Sequence, residues 1–495
     1  MSQGSSSFQW ALRVSVMLAA ATTTAFASSF TPGDLVIDTV TGTTLDAASP
    51  IALQEFSLGA GGTSATSVGG LTLPQMQNGA NLAISGEYGS ASEGFLTQSV
   101  NGAYLTVIGY GVNATAFNNA PLSTYGNAAL GQTTSLTGQP VTTVPRVVAL
   151  IAGNGNVGTT TALTGVFNTN NPRSSVTVNG SSFYVSGQGA SKTDPTQGVF
   201  FAPLGATTAT PIDNSTDTRA LAISNVLTGT NTLYVSRDQN PSGSGGQNFT
   251  NVSSLTGPGG ILPTSAAGLI QTHIVPPATP NSLGGNNGSI NVTAGNENGV
   301  NISRVGKFVY LSPEQYFFAS STVLYVADSG QPKNGNANAA ALGEGGLQKW
   351  VLAAGVWTLD YDLVNGLNLV NNALANANTP TAPGVTGLFG LTGEVVGGQV
   401  ELFATSYGLN ELSSSYLYEI TDTLSDTTIA QAVGETFDTL YSAPSDVSIR
   451  GVAFAPDVGA TPLPSTWVML LSGLVGLGFF VYRGSKRGTA ALAFA

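Results

Sequence analysis

Cysteine is absent from the 495 residues. That excludes structural disulfides, thiolate metal sites and cysteine nucleophiles. Histidine occurs once, at His273, which argues against a histidine-built metal cage or a Ser-His-Asp arrangement with a base to spare. Charge is scarce as well, at 8% of residues, about a third of the usual share. Coiled coils and other helical folds with charged faces are therefore poor candidates. The 14 Lys and Arg stand against 26 Asp and Glu, a net charge of −12. Nucleic acid is disfavoured as a partner, because neutralising phosphates takes clustered cations. No phosphate loop, dinucleotide fingerprint or nucleophile elbow is present: the glycine clusters lack the Lys or the helix start that such motifs require.

What is abundant is small and apolar. Glycine fills 63 positions, and 42% of residues are hydrophobic. Between residues 28 and 460 the pattern is a repeated strand–turn–strand unit. One copy runs from Arg173 through an Asn179-Gly180 turn to Phe183–Ser186, and the dipeptide predicts a type I′ hairpin. Others run from Arg219 past Gly229 to Leu233–Ser236, and from Tyr316–Ala319 to Leu324–Ala327. A further pair is Leu388–Glu394, Gly397-Gly398 and Leu402–Thr405. The earliest is Gly94–Thr97, Asn101-Gly102 and Tyr104–Val107. Equivalent aromatic positions fall at Tyr104, Tyr184, Tyr234, Tyr325 and Phe403, separated by 80, 50, 91 and 78 residues. Read as one or two periods of about 40 to 50, these separations predict an all-β fold, a β-propeller of about seven blades. A parallel β-helix and paired β-sandwiches are the alternatives. Residues 240–301, rich in Gly, Asn, Pro and Ser, read as long loops on one rim, with His273 in them.

The two ends differ from this body. Residues 1–27 have one cation, Arg13, then the apolar stretch Val14–Ala21, then Ala25-Phe26-Ala27. This is the pattern of a signal peptide with small residues, Ala25 and Ala27, at the cleavage site. Residues 461–495 begin with Pro462-Leu463-Pro464-Ser465-Thr466-Trp467. An apolar segment, 467–482, follows, and then Arg483, Lys486 and Arg487. The span is marginal for a transmembrane helix. Aromatics at both edges and cations on one side place the basic end in the cytoplasm and the body outside. Pro-Leu-Pro-Ser-Thr-Trp, a Gly-Leu-Gly helix and a basic cluster, in that order, resemble the PEP-CTERM sorting signal of Gram-negative bacteria. Leu463 stands where that family usually has Glu, as in its PLP variant. The resemblance implies export, recognition by an exosortase-type membrane protease, transient residence in the inner membrane, and release to the cell surface or exopolysaccharide matrix.

The body is similar to a propeller-type domain of some PEP-CTERM proteins. The resemblance rests on Gly33–Ile37, Ser92–Leu96, Leu324–Asp328, Gly346–Trp350 and Arg450–Ala455. It implies no catalytic residues. The last of these motifs is expected to supply a strand that closes the ring beside the N-terminal strand. Residues 360–457 hold 12 carboxylates and one cation, Arg450, a balance of −11. Oxygen ligands of this kind suit Ca²⁺, but Asp360–Gly366 fails the spacing of a Ca²⁺ loop, and a solvated acidic face that keeps an exported protein soluble is the favoured account of the charge. No cofactor is expected. Glu93, Asp328, Asp360 and Asp362 are candidates for a hydrolase acid and base, though nothing pairs any two of them. The leading expectation is a non-enzymatic surface or matrix protein whose propeller serves as scaffold or binding platform, with exopolysaccharide as a candidate partner. The alternative is an extracellular lyase, lactonase or glycosidase on the same fold. An axial funnel lined by carboxylates would favour the enzyme.

Overall fold

The computed structural model describes residues 29–90, 92–215, 217–238, 251–275, 289–292, 307–330, 345–367, 369, 385–408 and 414–457. The first strands are β1 (Leu35–Thr41), β2 (Ala48–Leu58), β3 (Ala65–Thr72), β4 (Ser85–Glu87), β5 (Thr97–Gln98), β6 (Tyr104–Tyr110), β7 (Arg146–Ala152) and β8 (Val157–Leu163). Next come β9 (Pro172–Val176), β10 (Ser182–Gly187), β11 (Gly198–Pro203) and β12 (Thr210–Asp213), a four-stranded antiparallel blade. The second blade is β13 (Thr218–Ser224), β14 (Thr232–Arg237), β15 (Asn251–Thr256) and β16 (Ile270–Val275). A separate hairpin is formed by β17 (Ser289–Val292) and β18 (Lys307–Tyr310). The third blade is β19 (Pro313–Ser320), β20 (Val323–Asp328), β21 (Gly346–Ala353) and β22 (Val356–Leu363). The fourth is β23 (Val385–Val396), β24 (Gln399–Gly408), β25 (Tyr416–Thr423) and β26 (Asp438–Ser442). The last strand, β27 (Val447–Phe454), returns to pair antiparallel with β1, from Leu35↔Phe454 to Thr41↔Val447. It thereby joins β1–β8 in a nine-stranded sheet, and the ring is closed by the two ends of the body, as expected.

The arrangement is propeller-like, but with four discrete blades rather than about seven. Tyr104, Tyr184, Tyr234, Tyr325 and Phe403 each lie on the second strand of their unit, in β6, β10, β14, β20 and β24. Each aromatic separation is thus a single step round the ring. The long steps reflect long connections, such as the segment with two short helices, Ala114–Asn118 and Leu122–Tyr125, between β6 and β7. The remaining strands merge into one sheet because β2 pairs with β3 through Ala52–Leu58 and with β4 through Ala48–Pro50.

Both faces of these second strands are buried, so their period of two divides apolar residues between neighbouring cores rather than between core and water. In β20, Leu324 and Val326 enter the layer against β13–β16, while Val323, Tyr325 and Ala327 enter the layer against β23–β26. In β14, Tyr234 faces one layer and Leu233 and Val235 the other. That is why the strands read as near-continuous apolar runs.

Two local expectations need correction. Asn179-Gly180 is not a two-residue type I′ turn. Gly180 has φ of +83°, but Asn179 is not at positive φ, and the connection spans residues 177–181. The Asn179 side chain instead accepts a hydrogen bond from the Ser181 N–H at 3.1 Å, the local bonding that makes Asn a turn former without αL geometry. Residues 240–301 are not simply rim loops: β15 and β16 lie within them, and His273 sits in β16 opposite Ser253. The Gly-Pro cluster there marks only the connection between those two strands. Asp360 and Asp362 belong to β22, in keeping with the failed spacing of a Ca²⁺ loop at Asp360–Gly366.

Candidate functional site

Each of β9, β13, β19, β23 and β27 ends the order of its sheet, and β5 pairs only with β6. These six innermost strands surround the axis, where β9 packs on β13, β13 on β19, β19 on β23, β23 on β27, and β27 on β5. Close approach at the axis is secured by glycine. A Cβ on Gly451 would lie 2.2 Å from the Leu96 backbone nitrogen, a separation no side chain tolerates. Beside it the Phe95 and Phe389 rings stack at 4.1 Å and fill the middle of the axis.

One side of this plug carries a buried collar of charge. Arg173, Arg219 and Glu314 are the second residues of β9, β13 and β19. Arg173 pairs with Asp217, and Arg219 pairs with both Glu314 and Asp238, the latter at 2.7 Å. The Ser312 hydroxyl donates to Asp238 at 2.6 Å and the Ser329 hydroxyl donates to Glu314 at 2.8 Å. Burial pushes Glu314 up to about 8 against the pull of Arg219, and burial likewise raises Asp238. Burial works against the charge of Arg219, but Glu314, Asp238 and Asp217 outweigh it and hold the guanidinium well above its ordinary value. Asp328 is fixed nearby by the Ser312 N–H at 3.1 Å and the Gln348 amide at 2.6 Å.

Two further buried networks lie elsewhere in the ring, one within the nine-stranded sheet and one between the third and fourth blades. Glu93 accepts from the Tyr110 hydroxyl at 3.2 Å and from the Glu87 N–H at 3.3 Å, and burial raises it to about 7. Asp38 accepts from the Gly451 N–H at 2.6 Å and is raised to about 8, again by burial. In the fourth blade Asp422 receives the Lys349 ammonium at 2.8 Å and the Tyr361 hydroxyl at 2.7 Å. Oxygens of Asp422, Asp426 and Glu435 come within 4.8 Å of one another. Burial, then the neighbouring Asp422, lifts Glu435 to about 8. This trio is the oxygen set best placed to hold a hard cation among the described residues, but Lys349 already neutralises its most buried member.

On the other side of the plug the six inner strands line a cavity of about 150 Å³ that is open to solvent at one end. Its wall takes Leu96–Gln98 and Val100, Val176 and Thr177, Leu221–Ile223, Gln315–Phe317, Leu391 and Thr392, and Val452 and Ala453. Gln315 forms its floor: the amide donates to the Leu96 carbonyl at 3.2 Å and accepts from the Leu391 N–H at 3.0 Å, tying three inner strands together. Among the described residues no Asp, Glu, Lys, Arg or His contributes to the wall.

The four carboxylates proposed from sequence do not converge on this cavity. Glu93 lies in the network of β4–β6, Asp328 beside the collar, and Asp360 near Lys349 and Asp422, whose fields bear on it while burial lifts it to about 6. Asp362 is opposite Gln348, the residue that also holds Asp328. Sequence reasoning missed both the collar and the cavity. The collar had one signal: two of the strand–turn–strand copies open on an arginine, Arg173 and Arg219, in a chain with few cations. The cavity had none, since its wall comes from six separate strands.

Ala25 and Ala27, and Pro462, Leu463, Pro464, Ser465, Thr466, Trp467, Arg483, Lys486 and Arg487, lie outside the described residues. Among the described residues no helix is long and apolar enough to cross a membrane. No protein-family model matches the chain, and no curated protein is similar to it in sequence.

Proposed function

We propose that this chain is an exported, non-enzymatic protein of the cell surface or exopolysaccharide matrix, with the propeller-like body as a binding platform. In this reading residues 1–27 direct export. The 467–482 segment holds the precursor in the inner membrane, and an exosortase-type protease acts near Pro462-Leu463-Pro464. The observation that carries the platform reading is the axial cavity. All six inner strands build it, and among the described residues none of them puts an Asp, Glu, Lys, Arg or His side chain in it; burial holds the Tyr316 phenol in its wall well above its ordinary pKa. Acid–base catalysis near neutral pH needs a group that titrates there within reach of substrate, and the collar carboxylates Asp217, Asp238 and Glu314, across the plug, are committed to Arg173 and Arg219.

A second reading, an extracellular enzyme using a divalent cation, would draw on Asp422, Asp426 and Glu435. The Lys349 ammonium on Asp422 competes directly with such an ion.

Mass spectrometry of protein released by the native bacterium tests the sorting reading. The released form is expected to end near residue 465. Replacing both Pro462 and Pro464 by Ala should leave uncut precursor in the membrane, because proline keeps the cleavage region extended. Released protein that still contains peptides from Gly473 to Arg487 would refute it.

A further inference from the structure

We infer that the face of the ring around the cavity mouth rests on the uncharged interfacial layer of a lipid bilayer while the body is still joined to its terminal segments. The inference rests on the anchoring reading above and adds the surface that meets the membrane.

Strand direction is the first argument. The innermost strands run from the collar towards the cavity. In β9, Arg173 belongs to the collar and Val176 to the cavity wall; in β13 the same holds for Arg219 and Leu221–Ile223. Successive strands of a blade are antiparallel. The connections from first to second strand and from third to fourth strand therefore emerge on the cavity side. Most of the large apolar side chains left exposed among the described residues stand in or beside these connections. Val100 follows β5, Leu204 follows β11, Val226 follows β13, Ile261 lies between β15 and β16, Val356 opens β22 and Val396 ends β23. They come from all four blades and from the β5–β8 part of the large sheet, so they surround the mouth instead of marking one blade.

The ends of the body are the second argument. The Phe30 N–H donates to the Gly153 carbonyl at 2.8 Å, and the Asp457 N–H donates to the Gly102 carbonyl at 2.7 Å. Gly153 lies between β7 and β8, and Gly102 between β5 and β6. Both ends of the body thus leave on the cavity side. Trp467, the start of the C-terminal apolar segment, is ten residues beyond Asp457, and an extended chain of that length reaches about 35 Å at most. Ala21, the end of the N-terminal apolar stretch, is nine residues before Phe30. With either segment in a bilayer, the cavity side is the one held against it.

Charge is the third argument. Among the described residues these connections contain no Lys or Arg, and their only acids are Asp426, Glu435 and Asp457. Anionic headgroups attract basic segments, and this face offers none. What it offers is apolar side chains for the headgroup–acyl boundary. The tether supplies the proximity that a few such side chains could not secure alone.

The absence of cysteine lets single substitutions carry one fluorescent label each. Val226→Cys and Val396→Cys report on the cavity side, and Gly473→Cys reports on the apolar segment. Leu122→Cys is the control, since Leu122 is exposed in the β6–β7 connection on the opposite side. The intact chain is reconstituted into phosphatidylcholine vesicles that contain brominated lipid as quencher. The two cavity-side labels should be quenched at least about twofold more than the control, and adding phosphatidylglycerol should not strengthen the contact. Quenching at Gly473→Cys but not at the cavity-side labels overturns the inference and leaves the anchor standing. Quenching at the cavity-side labels but not at Gly473→Cys overturns the anchor and leaves the docking face standing; quenching at none of the three overturns both. Contact that requires phosphatidylglycerol also overturns the inference. So do cavity-side labels shielded from aqueous iodide yet untouched by the lipid quencher, because a second copy or the chain's own 467–482 segment then covers the face.

Discussion

Arg219 is the residue whose loss the body should tolerate least. Its guanidinium holds Glu314 and Asp238 in the collar and lies 3.6 Å from Asp217. Arg219→Met keeps most of the packing and removes the charge. Two carboxylates then remain buried without a cation, and breaking a buried pair in this way costs about 3–5 kcal/mol. Denaturant unfolding should show a lower midpoint with an unchanged slope. The cost must also depend on pH. Glu314 already sits at about 8 against an ordinary 4.5, so the folded state binds its proton more tightly than the unfolded chain. A group of this kind contributes stability that is full below its unfolded pKa and is lost as pH rises through the folded one. Without Arg219 the folded pKa climbs further, so the variant should lose more stability at about pH 8 than at about pH 5. Adding Glu314→Gln should recover part of the loss. A cost below about 1 kcal/mol, or one independent of pH, would refute the view that this collar is a tightly coupled buried network.

Two further outcomes follow from the same coordinates. Gly180→Val should destabilise by about 1–3 kcal/mol, because Gly180 is at φ +83° and its Cβ would lie 3.1 Å from both Leu150 and Tyr104; an unchanged thermal midpoint would contradict this. In the unmodified protein Asp38, Glu314 and Glu435 are all raised to about 8, so folding takes up protons and the melting temperature should fall between about pH 5 and pH 9. A melting temperature that stays flat over that range would show that the buried carboxyls are ionised throughout.

Much of the ring was legible in the chain because its second strands are apolar on both faces. The Tyr184, Tyr234 and Tyr325 positions stand out for that reason, and each falls on the second strand of a separate blade. The closing strand was legible too, since Arg450–Ala455 repeats the strand signal after the fourth blade. The number of blades was not. Sequence separation does not count blades: among the described residues the step of 91 between Tyr234 and Tyr325 holds the rest of the second blade and the separate β17–β18 hairpin, not a further four-stranded blade. The Arg219–Glu314 pair spans 95 residues, and no local pattern announces such a partner. His273 misled because its neighbours on both sides are loop-like, whereas the short stretch Ile270–Val275 is apolar enough at Ile274 and Val275 to complete a sheet.

The central structural claim is a ring closed by its own ends, and the absence of cysteine makes it directly measurable. Val36 and Ala453 are register partners across the β1–β27 seam and are both buried. Val36→Cys with Ala453→Cys therefore introduces the only two thiols in the molecule. Oxidation should join them within one chain, giving a faster-migrating band on a non-reducing gel. It should also raise stability by up to about 5 kcal/mol, since the bond closes nearly the whole body into one loop, and reductant should reverse both effects. Free thiols after oxidation, or a cross-link only between separate chains, would contradict the closed ring.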